Sequence, residues 1–325
     1  MNWSSASGLD ARDELSREVS SQLTRARGIL ESGKDLGPSV HEARRAIKRA
    51  RALLKLADPQ PGDSHTDWTL RDASRALALI RDADVLVLTA KDICNESPPS
   101  GAPLVPTRLL EALEDERRRS FAESGSDDGP LRKACDLLRS AALELREPTA
   151  PGALISPHSP TSGNIEATVP SRSTTTGMEL VRLGLDASYT AARVRSDPAA
   201  GEGPADQRSH KLRKRVKDLR YQLDFLDTGH PKLGRLVLDL HHLTDLLGDR
   251  NDLATLSEFT ASDDSLGESE RARLLTRVEE GKQALGSEAT ALSARLFEEE
   301  ADAFVRRIEE WLTPPPDSPQ SSPQG

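Results

Sequence analysis

Cysteine is scarce: Cys94 and Cys135 are the only two in 325 residues, and no CxxC pair occurs. That argues against a disulfide framework or a cysteine-based zinc site, and it suits a reducing compartment. Aromatic residues make up only 3%. The core must then rest on Leu, Ala, Val and Ile, which at helical spacing suit a bundle better than a sheet. No run of about 18 apolar residues occurs, and no apolar signal region follows the opening MNWSSASGLD. Neither a membrane span nor export is expected, and a cytoplasmic setting fits. An excess of positive charge is also missing. Lys and Arg total 44 against 53 Asp and Glu, a net charge of −9. A general nucleic-acid binder is more often basic overall, so an anion site here has to be a local concentration of cations.

What the chain does have is helical punctuation. Segments of roughly 15–35 residues, rich in Ala, Leu, Arg and Glu, lie between breaks at 58–62, 97–106, 123–130, 196–204, 228–231 and 262–267. None alternates cleanly at period two. Residues 148–176, rich in Pro, Ser, Thr and Gly with no apolar period, read as a flexible linker near the midpoint. Residues 314–325 read as a disordered tail. The expected fold is all-α: a first helical half over 12–147 and a second over 177–313, each of about four helices.

The halves resemble each other. HEARRAIKRAR (41–51) matches HKLRKRVKDLR (210–220) at an offset of 169, so that His41 meets His210, Arg44 meets Arg213, Arg45 meets Lys214, Lys48 meets Lys217 and Arg51 meets Arg220. RDADVL (81–86) then falls near DRNDLATL (249–256) at almost the same offset. The same ordered pair of motifs twice in one chain points to an internal duplication, and so to two bundles related by a pseudo-twofold axis.

Each basic segment is amphipathic. On a helix over 40–57, Val40, Ala43, Ile47, Ala50, Leu54 and Ala57 share one face, and His41, Arg44, Arg45, Lys48, Arg51 and Lys55 the other. Ser39 and Glu42 read as a capping box opening that helix. In the second half Leu212, Val216, Leu219, Leu223 and Leu226 form the apolar stripe. His210, Arg213, Lys214, Lys217, Arg220 and Tyr221 gather opposite. Residues 41–55 carry six cations, Arg49 among them, against one carboxylate; residues 210–220 carry six against Asp218 alone. Like charges one turn apart repel, which is tolerable where a polyanion neutralises them. Arg offers a planar fork to phosphate and Lys a mobile point charge, and rows spaced about 5.4 Å apart can follow a phosphate chain. A solvated charged face is the plainer reading of one such helix. Two helices that match position by position weaken it.

VHEARRAIKRARALLKL and HKLRKRVKDLRYQLDFL resemble the two signatures of the CHAD family, the conserved histidine α-helical domain. RDADVL and LLGDRNDLATL resemble the segments that follow them. The resemblance spans about residues 12–313. It implies two pseudo-symmetric helical bundles, a basic surface between them, binding of inorganic polyphosphate and association with polyphosphate granules. The contacts it implies are His41, Arg44, Lys48, Arg49, Arg51 and Lys55, then His210, Arg213, Lys214, Lys217, Arg220 and Tyr221. Arg45 stands where an apolar residue is usual, and Asp218 where a further base is.

Other groups invite other chemistry. Asp82, Asp84 and Asp252 beside a phosphate site suggest a metal-dependent phosphohydrolase, but helix capping and ion pairing explain carboxylates there as well. His241, His242 and Asp245 have metal-ligand spacing, though such a pair on a Leu-rich helix is more often structural. His41 and His210 have no repeated nucleophile beside them, and neighbouring cations favour their neutral form. The expectation is a binding protein with no cofactor and no metal. Its rivals are a nucleic-acid binder, for which only Tyr221 offers a stacking ring, and the hydrolase.

Overall fold

The computed structural model describes residues 3, 6–58, 64–95, 104–126, 128–145, 176–197 and 203–313. The linker expected over 148–176 lies outside the described residues except for Thr176, and the tail over 314–325 lies wholly outside them.

The described residues are all-α. Eleven helices run α1 (Gly8–Glu31), α2 (Leu36–Ala57), α3 (His65–Ala76), α4 (Ala78–Asn95), α5 (Thr107–Ser124), α6 (Pro130–Glu144), α7 (Gly177–Ser196), α8 (Ala205–Leu226), α9 (Pro231–Ser262), α10 (Glu268–Leu296) and α11 (Ala301–Leu312). The halves hold six and five, more than the sequence breaks suggested, because α1 and α2 part at 32–35, α3 and α4 at Leu77 and α10 and α11 at 297–300, the last two without any Pro or Gly to announce them. The basic segment begins earlier than the Ser39–Glu42 pattern predicts. α2 opens at Leu36 after Asp35, Pro38 fits its first turn, where no intrahelical N–H bond is needed, and the Ser39 hydroxyl donates back to the Lys34 carbonyl oxygen.

The offset of 169 recurs in the helix boundaries. α1 and α7 begin at Gly8 and Gly177, and α2 and α8 span Leu36–Ala57 and Ala205–Leu226, 22 residues each. Ser7 and Thr176, again 169 apart, cap α1 and α7 with their hydroxyls and pair with each other in an isolated antiparallel bridge.

The cores do not divide along the halves. The larger draws on α1, α2, α3, α6, α7, α8 and α11, the first part of α9, Ile80 at the start of α4 and Ala289 and Leu292 late in α10. The smaller joins Val87, Ala90 and Ile93 of α4 and Leu109 and Leu113 of α5 to Leu256 of α9 and Leu274 and Val278 of α10. The apolar stripes explain this. Ala50, Leu53 and Leu56 of α2 and Val216, Leu219 and Leu223 of α8 are buried in one cluster, each larger side chain contributing roughly 1.5–3 kcal/mol by leaving water. Gln222 of α8, fully buried, donates to the Ala52 carbonyl oxygen at 2.9 Å across the same contact. The few aromatics fasten the end of the chain: Tyr189 stacks on Phe304 at 4.0 Å and donates to the Glu299 carbonyl oxygen at 3.0 Å.

Two glycines give opposite expectations. A Cβ on Gly184 of α7 would stand 2.5 Å from the Leu56 carbonyl oxygen, whereas one on Gly28 of α1 meets nothing within 4 Å. Gly28→Ala should therefore stabilise by about 0.5–1 kcal/mol through helix propensity. Gly184→Ala should lower the melting temperature, because backbone must move to admit the methyl, at about 1–3 kcal/mol. Thermal denaturation of the two variants checks this; a Gly184→Ala chain that melts above its parent contradicts the α2–α7 packing.

Candidate anion-binding site

The packing of α2 on α8 brings matching positions of the two basic rows together. Lys48 and Lys217 occupy the same place in their respective helices and lie close enough for their charges to repel. Arg44 joins them from α2, Arg213 and Arg220 from α8, and Arg81 from α4. His41 and His210 complete the cluster, each within electrostatic reach of Lys48.

What holds these cations is mostly backbone and neutral groups. Arg44 donates to the Ser74 carbonyl oxygen near the end of α3. Arg213 points its Nε toward the Thr244 carbonyl oxygen of α9 at 3.4 Å, its guanidinium lying over Gly248, where a Cβ would stand 2.7 Å from it. The glycine of the LLGD stretch thus makes room for the arginine. Arg220 lies over the Tyr221 ring at 4.5 Å and reaches His241 Nδ1 at 2.9 Å and Thr244 Oγ1 at 3.4 Å. His210 Nδ1 is 3.0 Å from Asn251 Oδ1. Among the described residues, no carboxylate lies within ion-pair distance of Arg44, Lys48, Arg213, Lys217 or Arg220.

The remaining basic residues are arranged differently. Arg45 is exposed and pairs with Glu42 at 3.3 Å. Arg49 bridges to Asp224 at 2.7 Å and Glu18 at 3.6 Å. Arg51 makes a two-pronged pair with Asp67 at 2.7 and 3.0 Å. Lys55 meets Asp218 across the α2–α8 contact at 2.5 Å. The acidic departure at Asp218 is therefore the counter-ion of Lys55. Lys214 is exposed. Tyr221 is only 4% exposed beneath Arg220 and offers no open face. Of the thirteen positions singled out in the sequence, the fold gathers His41, Arg44, Lys48, His210, Arg213, Lys217 and Arg220. It adds Arg81, which sequence reasoning met only as the first letter of RDADVL.

Burial sets the protonation of the cluster, and repulsion among the cations deepens it. Lys48 is pushed down to about 7, first by burial and then by Arg44, Arg213 and Arg81. Lys217 is pushed down to about 6, first by burial and then by Arg213, Lys48 and Arg220. His41 is lowered by burial and Arg81, and His210 by burial and Lys214, so both imidazoles favour the neutral form.

Carboxylates border the cluster on one side. Asp84 is buried, 3.7 Å from Arg81 and 3.6 Å from Arg117, with its carboxylate against the first turn of α2 at Gly37, where it complements the helix dipole. Asp82 is raised by burial despite Arg44 and Arg81. Arg81 also borders a cavity of about 530 Å³ between α4, α9 and α10 that contains Asp92, Asp249, Asp252 and Glu280, a lining that repels anions. His241 and His242 diverge: Nδ1 of the first lies 3.1 Å from Asp245 on its own helix, and Nε2 of the second 3.1 Å from Glu288 on α10.

The two kinds of basic residue should separate by melting temperature. A lysine held below its unfolded value near 10.4 opposes folding below that pH, fully so once the pH is under its folded value. Lys48→Met and Lys217→Met should therefore raise the melting temperature at pH 6, with a gain that fades as pH rises toward 10. Arg51→Met should lower it, with a loss of about 1–3 kcal/mol of stability, because Asp67 loses a charge-assisted pair. Equal losses in all three variants would contradict the distinction.

A comparison with curated proteins finds no match. The family model for the CHAD domain matches residues 15–261. The match takes in both basic helices and ends within α9, leaving α10 and α11 beyond it. With 247 of its 325 residues matched, the chain belongs to the CHAD family.

Proposed function

We propose that the cation cluster at the α2–α8 contact binds inorganic polyphosphate, and that the protein is a binding module without turnover, soluble in the cytoplasm and able to associate with polyphosphate granules. The observation that carries this reading is the contrast within the basic rows. Arg45, Arg49, Arg51 and Lys55 have carboxylate partners, whereas Arg44, Lys48, Arg213, Lys217 and Arg220, grouped at the contact of the halves, have none within ion-pair distance. A cluster that is left repelling itself is complementary to an external polyanion.

The arrangement also favours one kind of polyanion. If the 169-residue offset marks a duplication, the two rows form a pseudo-twofold array, and a twofold array has no direction. Linear polyphosphate reads the same from both ends. A nucleic-acid strand has a 5′ and a 3′ end and carries bases, and the one aromatic ring among the cations, Tyr221, is covered. Of the carboxylates that suggested a hydrolase, Asp84 is engaged by Arg81 and Arg117, which supports a role in orienting cations. No helix among the described residues is long and apolar enough to cross a membrane.

Binding should be steeply salt-dependent. Five cations, Arg44, Lys48, Arg213, Lys217 and Arg220, at about −0.7 per phosphate contact for a single-stranded polyanion, give a log–log slope of roughly −3.5. Lys48→Ala with Lys217→Ala should weaken binding by at least about 100-fold, since charge-assisted contacts contribute about 1.5–3 kcal/mol each. Arg45→Ala should change little. Titrations with long polyphosphate at two salt concentrations, with single-stranded RNA as competitor, check this. A slope near zero, or RNA that displaces polyphosphate at equal phosphate concentration, contradicts the proposal.

A further inference from the structure

One stripe of α9 meets His210, Arg213 and Arg220 of α8 in antiparallel order. His210 lies 3.0 Å from Asn251, the Arg213 guanidinium lies over Gly248, and Arg220 lies 2.9 Å from His241. Thr244, fully buried, stands between the last two and serves both arginines. Its carbonyl oxygen accepts from Arg213 Nε at 3.4 Å, and its hydroxyl oxygen from Arg220 Nη1 at 3.4 Å. His241, Thr244, Gly248 and Asn251 follow one another at steps of three and four residues, which places them on one side of the helix. None is a carboxylate. Asp245, Asp249 and Asp252 each stand one position further along, roughly 100° round the helix. None of these three lies within ion-pair distance of Arg213 or Arg220 among the described residues. We infer that this stripe of α9, with Thr244 and Gly248 at its centre, positions the α8 half of the anion site: it fixes where Arg213 and Arg220 present their guanidinium groups without neutralising them. The inference rests on the polyphosphate reading above.

The physical cause is the choice of partner. A carboxylate holds an arginine in place but also offsets its charge, as Asp67 does for Arg51. A carbonyl, a hydroxyl or an imidazole nitrogen orients the planar fork and leaves its charge for an incoming anion. An arginine already seated has less rotamer freedom to lose when a ligand arrives, so preorganisation raises affinity. Gly248 contributes by what it lacks. A Cβ there would stand 2.7 Å from Arg213 Nη2, 3.2 Å from its Cζ and 3.3 Å from its Nε. All three atoms belong to the far end of a flexible side chain, so a methyl group at 248 displaces the guanidinium and leaves the backbone where it is. Positioning and folding can therefore be separated at this residue.

Titrations of the full-length Gly248→Ala chain with long polyphosphate, at several salt concentrations, test this. Helix propensity favours the alanine, so the melting temperature should hold or rise. Affinity should nevertheless fall about tenfold, the loss of one charge-assisted contact. The log–log salt slope should ease from roughly −3.5 to about −2.8, because one contact at about −0.7 is lost. Partial unfolding would scale binding equally at every salt concentration and leave the slope unchanged. At low salt, in an Arg213→Ala background, Gly248→Ala should change affinity by less than about twofold, since the residue acts only through that arginine. Thr244→Val, which removes the hydroxyl that Arg220 meets, should weaken binding severalfold, and Thr244→Ser should restore it. A Gly248→Ala chain that binds with the parent's affinity and slope overturns the inference, as does an equal loss in the Arg213→Ala background. If Gly248→Ala melts well below its parent, the threonine pair decides, and equal binding by Thr244→Val and Thr244→Ser overturns it. Each of these results leaves the polyphosphate reading in place; no binding by the parent at low salt overturns both.

Discussion

Repulsion between like charges that the fold presses together is the constraint on which this molecule's central contact depends. α2 and α8 must meet, because their stripes of Leu, Val, Ile and Ala share one core. That meeting brings Lys48 within charge range of Lys217, Lys48 of Arg44, Arg213 and Arg81, and Lys217 of Arg213 and Arg220. The penalty is tolerated in two ways. Along the flanks, Arg49, Arg51 and Lys55 find Asp224, Asp67 and Asp218. At the centre the lysines lower their affinity for protons, and the arginines lean on carbonyl oxygens, a histidine and a tyrosine ring. The fold thus separates cations with carboxylate partners, on the flanks, from Lys48, Lys217, Arg44, Arg213 and Arg220, which have none within ion-pair distance.

The overall acidity of the chain is compatible with that arrangement. A net charge of −9 acts at long range and is screened within about 10 Å at ordinary ionic strength. The cluster acts at contact distance in a partly desolvated site, where charge counts for more. The carboxylates of α4, α9 and α10 lie to one side, around the cavity that Arg81 borders. On the proposed reading they repel a polyanion there and leave the α2–α8 contact as the favourable path.

Much of this was legible in the sequence, and the parts that were not share a cause. The all-α class followed from helical spacing with little aromatic or β-branched content, and the apolar stripe of α8 from period 3.6; that of α2 followed only in part, since Leu53 and Leu56 are buried where Leu54 and Ala57 were expected. The direction in which His41 and His210 shift followed from the cations near them in sequence, although burial is the larger cause. The counter-ions of Arg51 and Arg49 did not, because Asp67 and Asp224 lie 16 and 175 residues away and meet them only through tertiary packing. Arg45, Lys48 and Arg51 look alike on a helical wheel, yet only Lys48 lacks a carboxylate within ion-pair distance. Arg81 was hidden because α4 reaches the cluster from outside both basic helices. The start of α2 was misplaced because Ser39 and Glu42 have capping spacing, while Pro38 allows the helix to begin a turn earlier.

The central claim is that the cations without carboxylate partners are the binding site and the paired ones are structural. Lysine footprinting tests it most directly: brief acylation of the full chain with and without long polyphosphate, read residue by residue by mass spectrometry. The account predicts that Lys48 and Lys217 are labelled in the free protein and strongly protected by polyphosphate, while Lys55, Lys91 and Lys282, each held by a carboxylate, show no change. Protection at Lys55 or Lys91 with Lys48 and Lys217 unaffected would contradict it.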